Sequence, residues 1–169
     1  TGDTMAERPQ ELWLVERPGE LENAANRLVS VLRGVLPASD KDFETVNRIL
    51  FALGDNCFRH GKVHTGAMLC GQAFPKNGVV EIAVADTGQG IWSSLKRFPS
   101  LAESMQGDAN AILTALTLKV KSAEGVVRQG FLNTLLATAR KTGGELVCMS
   151  GEAALTMRGG EMRNTKVAY

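Results

Sequence analysis

Asp86 follows an apolar run, Val79-Val80-Glu81-Ile82-Ala83-Val84, and precedes two glycines one residue apart in "VADTGQGI", Val84 to Ile91. A carboxylate only accepts hydrogen bonds, so Asp86 could take the exocyclic amine of an adenine. Gly88 and Gly90 would let the backbone come close to the base. The plain alternative is a solvated aspartate opening a glycine turn. A second group lies in "GDNCFRHG", where Asn56, Arg59 and His60 stand at i, i+3 and i+4 and would share one helical face. An amide oxygen is a hard ligand suited to magnesium, and a guanidinium forks onto phosphate oxygens. Each also has an ordinary reading: Asn56 as a helix-surface amide, Arg59 as a solvated charge, His60 as a structural histidine. In the third stretch, "RQGFLNTLL", Gly130 directly precedes a helical pattern whose free N–H groups would attract phosphate. One ligand, ATP with a magnesium ion, would use all three.

The elements that must hold these residues are legible from periodicity. "ELWLVER" reads as a first strand. Leu21, Ala24, Ala25, Leu28, Val31 and Leu32 fall at helical spacing between Pro18 and Gly34. A second helix carries Phe43, Val46, Leu50, Leu53 and Cys57 on one stripe, with Ser39 or Asp40 to cap it and Gly61 to end it. That stripe makes Cys57 a core residue. Strands around His64 to Phe74 and Gly78 to Asp86 flank "PKNG", a turn suited to an antiparallel hairpin. From Trp92 to Gln129 the pattern loosens, with Pro99, Gly107 and Gly125 and one helical stretch near Ala109 to Leu118. A long, weakly patterned segment is expected to form a lid, with Trp92 as its anchor. A helix from Phe131, a strand "ELVCMS" and a final hairpin follow. Strands adjacent in sequence predict an α+β fold with a mixed or antiparallel sheet; the fold expected is a two-layer sandwich with a mixed sheet covered by helices on one face.

Composition narrows the partners. A chain of 169 residues suits one domain over 1–169, and 44% hydrophobic with 22% charged residues is globular. No apolar run approaches the roughly 20 residues that span a bilayer. The polar "TGDTMAERPQELW" has no signal-peptide core, which points to the cytoplasm. Cys57, Cys70 and Cys148 lack the spacing of a disulfide frame or zinc site. A net charge of +1 and 5% aromatics argue against nucleic acid as a partner.

With the motifs in order, the chain resembles the GHKL superfamily of ATP-binding domains, which have the Bergerat fold, over roughly Phe43 to Ser150. Asn56 with Arg59 and His60-Gly61 resembles the N box, "DTGQGI" the G1 box, and "GFLNTLLATARKTGGELVCMS" the G2 box with its following helix and strand. "DTGQGIWSSL" is most similar to stand-alone bacterial domains related to the anti-sigma-factor serine kinases. The resemblance implies ATP or ADP with Mg2+ as ligand and Asn56 as the metal ligand. It implies Asp86 as the adenine-reading carboxylate, with Gly88, Gly90 and Ile91 beside it. Arg59 would replace the usual phosphate-contacting lysine, and Gly130 with Phe131 would stand at the γ-phosphate end. A regulatory protein partner is implied, with a homodimer as one open assembly state.

Two departures separate this chain from catalytic members. Ala52 stands one turn before Asn56, where those members carry a glutamate as general base. Glu44 lies two further turns away, about 12 Å along the helix, and Asp55 points about 100° around it. In "GVVRQGFL" only Gly125 and Gly130 remain of the glycine box, with Val126 and Arg128 between them. Three functions stay open: an ATP/Mg-binding regulatory domain with weak or no catalysis, an active anti-sigma-like serine kinase or ATPase, and an interaction domain that has lost nucleotide. A full histidine kinase is disfavoured, because His60 and His64 are the sole histidines and neither lies in a phospho-acceptor helix.

Overall fold

A computed structural model of the chain describes residues 10–62, 65–103, 105–117, 119–121, 127–129, 131–159 and 161–166. The chain is α+β and divides into two compact units, Thr1–Gly88 and Gln89–Tyr169.

In the first unit, β1 (Gln10–Val15), β2 (Ala67–Phe74) and β3 (Val79–Asp86) form one antiparallel sheet in the order β1-β2-β3. The β2–β3 hairpin closes through a 3-10 turn at Pro75–Asn77 and Gly78, whose φ of 62° is left-handed and suits glycine. Helices α1 (Leu21–Arg33) and α2 (Asp40–Asn56) cover one face. On α1, Leu21, Ala24, Ala25, Leu28, Val29 and Leu32 are buried, the stripe expected of an amphipathic helix. They meet Val15, Ala67, Leu69 and Ala73 from the sheet and Phe43 and Leu50 from α2. Gly71 lets α1 press onto β2: a Cβ there would come within 2.9 Å of Leu28 Cδ1. The sheet's other face is open, with Leu12 66%, Leu14 56% and Met68 40% exposed.

Ser39 caps α2 as expected, accepting from the Asp42 N–H while the Asp42 carboxylate accepts from the Ser39 N–H at 3.1 Å. These bonds with Ser39 hold the Asp42 carboxyl below its ordinary range. The α-helix ends at Asn56 and not at Gly61. Cys57–Gly61 forms a π turn, and Lys62 behind it is left-handed at φ 54°.

In the second unit come α3 (Gly90–Leu95), α4 (Pro99–Ala102), α5 (Asp108–Thr117), a two-stranded ribbon of β4 (Lys119–Lys121) and β5 (Val127–Gln129), and α6 (Phe131–Thr142). A meander of β6 (Glu145–Ser150), β7 (Ala153–Arg158) and β8 (Glu161–Lys166) completes it. Helices α5 and α6 pack on β6 and β7, and the core joins Ile112 and Leu116 to Ala153 and Leu155.

Two expectations need correction. Every strand pairing among the described residues is antiparallel, in one sheet of the first unit and two of the second, and not in a single mixed sheet. Tight turns at 75–78 and 151–152 set the direction of the β2–β3 and β6–β7 pairs. The segment after Ile91 is also more regular than its glycines and Pro99 suggest. It holds three helices, and α5 is core, with Ala111, Ile112 and Leu116 fully buried. No helix among the described residues is long and apolar enough to cross a membrane.

Candidate functional site

Two of the three stretches singled out from the sequence meet inside the first unit. Asn56 ends α2 half-buried. Cys57, the next residue, is buried against the core, and its thiol lies within 3.3 Å of the Leu53 carbonyl oxygen, the acceptor in that contact. Asp86 ends β3 in register with Ala67. Its Oδ1 accepts the Gly88 N–H at 2.7 Å, an Asx turn that fixes the carboxylate. Gly88 lies against the Gly61 carbonyl so closely that a Cβ would overlap it. The close approach thus seats the "DTG" turn on the π turn that follows Asn56. Thr65 and Thr87 are joined hydroxyl to hydroxyl, a second tie on the same turn.

The electrostatics agree with this proximity. The Cys57 thiol is pushed up to about 12, first by burial and then by the negative charge of Asp86. In the second unit Cys148 rises to about 11 through burial alone. Asp86 itself is exposed, and a carboxylate has about four lone-pair positions, so the Gly88 N–H leaves acceptor capacity for a ligand.

Arg59 does not join this group. Its Nε donates to Asp55 at 2.9 Å to Oδ1, and its side chain is 71% exposed. The α-helical spacing that placed Asn56, Arg59 and His60 on one face is interrupted, because the chain widens into a π turn at Cys57. The pairing also occupies Asp55, the carboxylate nearest Ala52 in sequence. Ala52 is half-buried within α2.

Gly90 and Ile91 belong to the second unit. Gly90 opens α3 with φ 77°, and the Ile91 N–H donates to Ser150 Oγ at 2.8 Å. Ser150 was not among the residues singled out from sequence. Its one signal is a polar residue at a strand end before Gly151. Asp108 opens α5 and its Oδ2 accepts the Glu152 N–H at 3.0 Å. Trp92 is 38% exposed beneath the Lys96 ammonium, 5.3 Å from the ring centroid, a surface pair on α3. Phe131 begins α6, while Gly125, Val126 and Gly130 lie outside the described residues.

An open groove between α1 and α2 is lined by Asn26, Val29, Arg33, Phe43 and Asn47 among others, and by none of Asn56, Asp86 or Gly88. An Asn47-to-Asn26 amide bond of 2.7 Å crosses between these helices. No group of three or more His, Cys, Asp or Glu among the described residues is placed to hold a metal ion. An amide such as Asn56 fits magnesium in another way, as one oxygen ligand beside waters and phosphate oxygens. Comparison of the chain with family models, with curated proteins and with solved structures found no match.

Proposed function

We propose that this chain binds an adenine nucleotide with magnesium, as a regulatory domain of the GHKL class with a Bergerat fold and little or no catalysis of its own. The observation that carries this reading is the seating of the Asp86–Gly88 turn on the turn that follows Asn56. The contact supports the reading because the turn holding Asp86, a carboxylate that could accept the adenine amine, touches the turn that follows Asn56, an amide that could join magnesium's shell, although the two residues are 30 positions apart in sequence. Ala52 leaves the general-base position without a carboxylate, and Asp55 is engaged with Arg59. A protein partner would read the nucleotide state.

Calorimetric titration tests it. ATP is expected to bind more tightly with magnesium than without, and more tightly than GTP, because guanine presents a carbonyl where Asp86 requires a donor. Asp86, exposed in the free chain, would be covered by the bound base, and an acceptor left unpaired there costs about 1–3 kcal/mol, roughly five- to a hundredfold in affinity. Asp86→Asn should remove that preference while leaving the far-UV spectrum unchanged. GTP and ATP competing equally would refute the adenine assignment. Turnover is expected to be negligible, and Ala52→Glu to raise it by an order of magnitude or more. Ordinary turnover by the unaltered chain would favour the active serine kinase or ATPase. A second reading, an interaction domain that has lost nucleotide, is favoured by the open apolar face of Leu12, Leu14 and Met68. It predicts no ATP binding at all.

A further inference from the structure

Among the described residues, Lys62 is the one non-glycine residue with positive φ, at φ 54° and ψ 45°. A side chain with a Cβ is disfavoured there, and lysine lacks the short polar group by which Asn or Asp relieves the strain. Such outliers persist where the surroundings dictate the backbone, and they concentrate at ligand clamps. Here the surroundings are known: Gly61, the residue before, carries the carbonyl packed against Gly88. Glycine is the usual residue at such a left-handed helix end, so a lysine is a costly choice for shape alone.

The charges around it sharpen the point. Arg59, the cation that the sequence assigns to phosphate, is paired with Asp55, with Nε 2.7 Å from Oδ2. Lys62 is exposed, and no ion pair of the described residues includes it. A flexible ammonium bearing three donors binds phosphate as a point charge.

We infer that Lys62, and not Arg59, is the cation that contacts the phosphates of the bound nucleotide, held in its left-handed conformation by the packing of Gly61 on Gly88. This rests on the nucleotide-binding reading above.

The experiment compares Lys62→Met, Lys62→Gly, Lys62→Arg and Arg59→Ala with the unaltered chain, by calorimetry with Mg-ATP and with adenosine, and by thermal melting. Lys62→Met should weaken Mg-ATP about tenfold or more, as loss of a charge-assisted contact does, and leave adenosine within about twofold. Lys62→Arg should retain most of the ATP affinity. Lys62→Gly gives opposed readouts: the melting temperature rises as backbone strain is relieved, while ATP affinity falls as in Lys62→Met. A purely structural lysine would not separate those two quantities. Equal ATP affinity in the unaltered chain and Lys62→Met, an equal loss of adenosine and ATP, or a larger loss in Arg59→Ala than in Lys62→Met would each overturn the assignment while leaving nucleotide binding intact. Failure of the unaltered chain to bind either ligand would overturn the nucleotide reading and this inference with it.

Discussion

Gly88 and Gly90, two residues apart in one motif, are glycines for different physical reasons. Gly88 is not in the left-handed region, and what excludes a side chain is the Gly61 carbonyl against it. Gly90 has φ 77°, and a Cβ there would meet no backbone, only the movable Ser150 hydroxyl, at a close 3.1 Å. One glycine serves packing and the other serves conformation. A motif written as letters merges these roles, although they respond to different substitutions.

The largest effect should come from Gly88→Ala, which must push the π turn off the Asp86 turn and cost roughly 2–3 kcal/mol, the range of overpacking against rigid backbone. Gly88→Asn should be no better, since tolerance of positive φ does not help a steric clash. Gly90→Ala should cost about 1–2 kcal/mol through its left-handed backbone, and Gly90→Asn should recover part of that. Denaturant melts of the four variants break the comparison if Asn rescues both positions or neither.

Ser150→Ala should follow, at about 1 kcal/mol, because it removes the acceptor for the Ile91 N–H and leaves that donor to water. It sharpens the contrast if the Gly90 penalty shrinks in its background while the Gly88 penalty does not.

A smaller effect is expected on the alkaline side. The thiols of Cys57 and Cys148 are raised to about 12 and about 11 in the folded chain, from an ordinary value of 9.0. A raised thiol binds its proton more tightly when folded, so its stabilising contribution is complete below about pH 9. It is lost as pH rises through about 11 for Cys148 and about 12 for Cys57. Stability should therefore fall from pH 9 upward. Asp86→Asn should make the fall end at a lower pH for Cys57, whose shift owes part to the Asp86 charge, so that less stability is lost in total, and leave that of Cys148, due to burial alone, unchanged. Urea titrations from pH 8 to 12 measure this, and an identical profile in Asp86→Asn up to pH 12 would remove Asp86 from the environment of Cys57.

Smallest of all, Arg59→Ala should change stability by no more than about 0.5 kcal/mol, as an exposed i, i+4 ion pair with Asp55. A loss above 1 kcal/mol would mean that Arg59 holds more than the surface of its helix.

The elements were legible where one face of a regular period is apolar. Leu21 to Leu32 and Phe43 to Leu50 announce α1 and α2, and Ser39 announces the cap, because amphipathic spacing and side-chain capping are local. The α5 segment was legible only in part. Glycines and Pro99 around it suggest irregular chain, yet Ile112 and Leu116 supply a core that overrides them. The face shared by Asn56, Arg59 and His60 was inferred from α-helical spacing, which a π turn interrupts, and nothing in "NCFRHG" by itself signals that turn.

The sequence by itself determined the α+β class, the helices and hairpins, and the presence of Asn56 and Asp86, since residue type and period are properties of the local chain. Tertiary structure alone decided that the Asp86 turn rests on Gly61 and that Ser150 receives the N–H of Ile91. Those are approaches between segments tens of residues apart, such as the 59 positions between Ile91 and Ser150, and no periodicity of a single segment encodes the distance at which two backbones meet.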